Sequence, residues 1–78
     1  MRKYRVSFDT YRDRIESAIH YCCTARNQKE ARAIAEELWY MKHKAHMFHI
    51  RVRRLSEDEP YRESFVVDIS AYYNWGRR

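Results

Sequence analysis

Seventy-eight residues suffice for one small basic domain, which we place at residues 1–78, and an apolar content of 45% spread along the chain argues against disorder. Twelve arginines and four lysines against eleven acids give a formal net charge of +5, which favours an anionic partner. No secretory signal is expected after Met1-Arg2-Lys3, and no apolar run approaches the ~20 residues of a membrane span, so we expect a cytoplasmic protein without a membrane partner.

Two alternating segments open the chain. In residues 3–11, Tyr4, Val6 and Phe8 fall on one side, and Arg5, Ser7 and Asp9 fall on the other. In residues 15–24 one side carries Ile15, Ile19, Tyr21 and Cys23, and the other carries His20, Cys22 and Thr24. This period of two is typical of half-buried strands. The short polar link Tyr11–Arg14 predicts a hairpin between them.

A helix is predicted next, over roughly residues 27–44. Asn27 is a favourable N-cap, and Glu30 stands three residues later, as in a capping box. Positive charge at residues 42–44 complements the helix dipole at the other end. One apolar stripe is formed by Ala31, Ile34, Ala35, Leu38 and Trp39.

Two further strands are predicted, at residues 46–55 and 64–70, with a loop at residues 56–63. In the first, Phe48, Ile50 and Val52 point one way, and His49, Arg51 and Arg53 the other. In the second, Phe65, Val67 and Ile69 alternate with polar positions. A rival interpretation starts a second helix at residue 56, because Ser56 and Glu59 have capping-box spacing. The tail at residues 71–75 is expected to pack on the core.

The predicted fold is therefore α+β: a small β-β-α-β-β antiparallel sheet with one helix packed on one face, or β-β-α-β-α if the last element is helical. A single helix leaves the other face of the sheet open and polar. The sheet also has edges, which invite self-association. We leave open a homodimer through an edge and a monomer in which the tail Tyr72–Trp75 covers it.

The open face is the candidate binding site. Five cationic or titratable side chains are predicted to project from it, and arginine is suited to phosphate contact. The candidate nucleic-acid-binding residues are Arg5, His20, His49, Arg51 and Arg53. The competing interpretation is that these side chains form cross-strand ion pairs with Asp9, Glu16 and Asp68 and have no partner.

Two other groups of residues give weaker evidence of a functional site. The equally spaced His43, His46 and His49 suggest a metal site, but the run passes from a helix end into a strand, so we predict no metal and no other cofactor. Cys22 with His20 is the one nucleophile–base pair to consider, and with a single glycine there is no phosphate-binding loop. We therefore expect no enzyme activity, and we expect free thiols.

Function is predicted at the level of a class. We expect a small non-catalytic binding module for an anionic partner, either nucleic acid contacted through its phosphates or an anionic protein surface. The alternative is a stand-alone protein-binding inhibitor or adaptor from a phage or mobile element. Its partner-binding residues would be the acidic loop positions Glu57, Asp58 and Glu59.

Overall fold

The computed structural model describes the backbone of residues 1–12 and 15–67 and the side chains of residues 1–10 and 18–67. Within them the elements are β1 (Arg2–Arg12), β2 (Ile15–Ala25), α1 (Gln28–His43), β3 (Phe48–Arg54) and β4 (Val66–Val67). The order β-β-α-β-β confirms the predicted α+β class. The turn of the first hairpin, most of the predicted fourth strand and the aromatic tail lie outside the described residues.

Strands β1 and β2 pair along their full length. The antiparallel register runs from Arg2 opposite Ala25 to Arg12 opposite Ile15. Because side chains alternate between the faces of a sheet, one face receives the apolar set that the sequence predicts. Buried on that face are Tyr4, Val6 and Phe8 from β1 and Ile19, Tyr21, Cys23 and Ala25 from β2.

Helix α1 covers this apolar face. The Asn27 side chain accepts a hydrogen bond from the Glu30 amide at 2.9 Å, which confirms the N-cap, and Lys44 ends the helix in the left-handed region at φ 54°. At the core, Trp39 lies edge-on to Phe8, with ring centroids 5.0 Å apart, and equally far from Phe65. These rings supply much of the burial that a domain of this size needs.

Leu38 departs from the predicted apolar stripe. Ala31, Ala35 and Trp39 are buried, but Leu38 is 40% exposed. It lies with Tyr21 in the lining of an open groove beside the β2 edge of the sheet. The described part of β4 at that edge is Val66–Val67.

The sheet order is β3-β1-β2-β4. Strand β3 pairs with β1, and β4 pairs with β2 through Ile19 opposite Val67 and His20 opposite Val66. The chain must therefore pass from one edge of the sheet to the other between β3 and β4. This crossing brings the loop at residues 56–63 against the open face.

Strand β3 carries a bulge that corrects one sequence expectation. The register pairs Ser7 with Arg51 but Asp9 with Phe48, so two residues of β3 oppose Phe8, and His49 adopts a φ of 51°. The extra residue inverts the alternation. Phe48 consequently shares the open face with Asp9, whereas Ile50 and Val52 still pack against the core.

Candidate nucleic-acid interface

Two rows of side chains cross the open face from β3 to β2. Antiparallel partners share a face, so the register defines both rows. The first row is Arg53, Arg5 and Cys22, and the second is Arg51, Ser7 and His20. The structure thus brings together four of the five predicted site residues, and their role in binding stays a prediction.

These rows border a shallow depression of about 360 Å³. Arg51 and Arg53 remain accessible, with 67% and 56% of their side chains exposed. Among the side chains that the structure describes, none in the lining is a carboxylate. The lining consists of Arg5, Ser7, Ala18, Ile19, His20, Arg51 and Arg53.

Asp9 closes one margin of the depression. Its carboxylate lies 2.9 Å from Nδ1 of His49 and 3.9 Å from a guanidinium nitrogen of Arg51. His49 therefore sits at the bulge beside the depression and does not line it. The cross-strand ion pairing expected for Asp9 is present, while the side chains of Glu16 and Asp68 lie outside the described residues.

The acidic loop closes the opposite margin. The carboxylate of Glu59 lies 2.7 Å from Nη1 of Arg53. Nη2 of Arg5 donates to the carbonyl of Pro60 at 3.4 Å, and the ammonium group of Lys3 lies 5.2 Å from the centre of the Tyr61 ring. The loop thus folds back over the basic face.

A tight turn positions the Glu59 carboxylate. The amide of Ser56 donates to Oε2 of Glu59 at 2.8 Å, and the Glu59 amide donates back to the Ser56 carbonyl at 3.3 Å. The Ser56 amide, and then the Arg53 guanidinium, lower the pKa of Glu59 to about 2. Pro60 follows directly and disfavours helical geometry at Glu59, so the capping-box spacing produces a turn and not the rival helix.

The two cysteines lie on opposite faces. Cys23 lies under the helix, where its Sγ is 3.8 Å from the carbonyl of Ala31 and burial raises the pKa of its thiol. Cys22 shares the open face with His20, as expected, but only 2% of it is exposed, and its amide donates to the Arg62 carbonyl at 3.2 Å. Both thiols are free.

The three evenly spaced histidines diverge. His43 packs on Trp39, with ring centroids 4.1 Å apart, and the His46 ring lies 6.5 Å from the ring of Tyr40. His49 contacts Asp9. Among the described side chains, at residues 1–10 and 18–67, no group of three or more histidine, cysteine or acidic residues is arranged to bind a metal ion.

Comparison with protein-family models, curated proteins and solved structures found no match. No helix in the described part of the chain is long and apolar enough to cross a membrane. Function must therefore be inferred from the residues themselves.

Sequence reasoning missed the contact between the loop and the basic face. A signal was present, because the acid-free segment 45–55 is followed directly by the acidic segment 56–63. It predicts a surface with charges of two signs, but it does not predict that the two signs meet.

Proposed function

We propose that the chain is a small binding module for single-stranded nucleic acid, contacted through its phosphates on the open face. The observation that supports this most directly is the depression lined by Arg5, Arg51, Arg53 and His20, with no carboxylate among the described lining residues. Guanidinium groups bind phosphate oxygens in a forked geometry, and they also stack on bases. A shallow, open site suits an extended strand better than a compact ligand.

Binding of this kind has low sequence specificity. Phosphate contacts position a nucleic acid, and base contacts specify it. Phe48 and Tyr61 lie on opposite sides of the two arginine rows. Among the described aromatic residues, they are the candidates for stacking on bases. We therefore expect discrimination by strandedness more than by sequence.

The module is proposed to act without catalysis and in the cytoplasm. Cys22, the nucleophile considered from the sequence, is buried, which disfavours attack on a substrate. The free thiols are compatible with a reducing compartment.

A salt titration tests the proposal. Fluorescence anisotropy of labelled DNA and RNA strands of about 12 nucleotides, and of a duplex, would be measured at about 50 and about 200 mM salt. Three or four phosphate contacts predict an affinity loss of about 20- to 50-fold across that range. Absence of binding at the lower salt concentration would refute the proposal.

The alternative of a protein partner docked on the acidic loop has less support. Glu59 is bound to Arg53, and Asp58 lies 2.9 Å from the Ser56 hydroxyl, so only Glu57 of the three predicted residues lacks a described bond. A pull-down with and without nuclease separates the two functions. A partner that survives nuclease treatment favours the protein-binding alternative.

A further inference from the structure

Arg5 and Arg53 form a directly opposed pair of like charges on neighbouring strands. Such pairs destabilise a sheet unless an acceptor compensates them. Two consecutive loop residues contact this pair, since Glu59 provides a carboxylate to Arg53 and Pro60 provides a carbonyl oxygen to Arg5. The loop thus presents an anion and a neutral acceptor to two facing guanidinium groups.

The arginine pair retains capacity for a further acceptor. Nε of Arg5 is buried and has no hydrogen-bond partner among the described residues. A carbonyl oxygen satisfies only part of a guanidinium fork, whereas the oxygens of a phosphate can accept from several N–H groups at once.

We infer that the Glu59 carboxylate occupies, on Arg53, the position of a ligand phosphate that would bind Arg53 and Arg5 together, so that the acidic turn competes with the ligand for this site. The inference rests on the proposed function and adds to it that a segment of the same chain competes with the ligand. Its ligand is one phosphate of a nucleic-acid strand, and the phosphate displaces the carboxylate without a covalent step.

The geometry allows that exchange. The hydrogen bonds from Ser56 hold the Glu59 carboxylate in place. The carboxylate can therefore return to Arg53 without a further loss of side-chain freedom. Its pairing with Arg53 lies at the surface, with 56% and 29% of the two side chains exposed. Exposed ion pairs are weak and are screened by salt, so a polyanion can displace this one.

The experiment compares two substitutions that remove the same charge. Glu59→Gln removes the competing carboxylate while keeping an amide oxygen as an acceptor for Ser56. Glu57→Gln, two residues away, is the matched control because Glu57 has no described bond. Binding of a labelled single-stranded oligonucleotide is measured for both variants and for the unmodified chain, and thermal unfolding verifies that each is folded.

We expect E59Q to bind about threefold to fivefold more tightly than E57Q, which itself reports the general loss of negative charge. When Arg53→Gln is added to both E59Q and E57Q, the difference between the two should disappear. Equal affinities of E59Q and E57Q, with binding retained, overturn the inference alone. Weaker binding by E59Q also overturns it, because Glu59 would then position Arg53 for the ligand. Failure of every variant to bind at low salt overturns the inference and the proposed function together.

Discussion

Arg51 and Arg54 lie three residues apart on β3 and face opposite sides of the sheet, because Arg51 pairs with Ser7 and Arg54 pairs with Tyr4. Both side chains are exposed and both carry one positive charge. They form a matched pair for separating binding by the open face from attraction by net charge.

We therefore predict that Arg51→Gln weakens nucleic-acid binding about threefold to tenfold and that Arg54→Gln has a much smaller effect. Loss of one phosphate contact also lowers the slope of log affinity against log salt by about 0.7 for a single strand. Anisotropy titrations at several salt concentrations measure both quantities. Equal effects of R51Q and R54Q would show that the open face has no special role.

Trp39 and Leu38 provide a similar comparison for stability. Trp39 is 6% exposed and contacts Phe8 and Phe65, whereas Leu38 is 40% exposed. Trp39→Ala should lower the free energy of unfolding by about 3–5 kcal/mol, and Leu38→Ala by about 1 kcal/mol. Urea denaturation measures both changes, with Trp39→Phe as the variant to use if W39A does not fold. Similar losses at the two positions would contradict the packing described here.

The acidic turn predicts a pH dependence. The folded-state pKa of Glu59 is about 2, below the ordinary value of 4.5. A carboxyl with a lowered folded-state pKa contributes stability above its unfolded pKa and loses it as the pH falls through the folded value. The difference in unfolding free energy between the unmodified chain and E59Q should therefore be constant above about pH 5 and shrink towards pH 2. A difference that stays constant over this range would argue against the Ser56 and Arg53 bonds.

The edge strand β3 predicts the oligomeric state. Two copies of β3 paired edge to edge would bring Arg51, Arg53 and Arg54 close to the same residues of the second copy, and these like charges repel each other. The bulge at His49 would also interrupt the hydrogen-bond ladder between the two strands. We expect a monomer at low salt. Light scattering after size-exclusion chromatography measures the mass, and a dimer that persists at low salt would contradict this prediction.

The sequence allowed the paired strands and the helix to be predicted because their periods are regular. Tyr4, Val6 and Phe8 alternate without interruption, and Asn27 with Glu30 marks the start of the helix. The placement of Arg5, His20, Arg51 and Arg53 on one face follows from the same alternation.

Other features depend on relationships between distant segments. The bulge places His49 in the left-handed region, where glycine or asparagine is the usual signal, and no such residue stands there. Leu38 is 40% exposed although it belongs to the apolar stripe, and the helical period of α1 does not encode which members of the stripe meet the sheet. The contact between Glu59 and Arg53 lies where the chain leaves β3 to cross to the other edge of the sheet, and this strand order was not evident from the alternation of either strand.

The sheet order also determines when the site exists during folding. Strands β1 and β2 are neighbours along the chain and form a local hairpin, whereas β3 returns from beyond the helix to pair with β1. Long-range pairings close a larger loop and tend to form late. Arg5 and His20 are therefore present together in an isolated hairpin, but both rows are completed only when β3 docks, because Arg51 and Arg53 lie on that strand. A ligand that needs both rows would bind only the folded chain and would stabilise it against unfolding. Binding of such a ligand therefore measures the folded fraction of the protein.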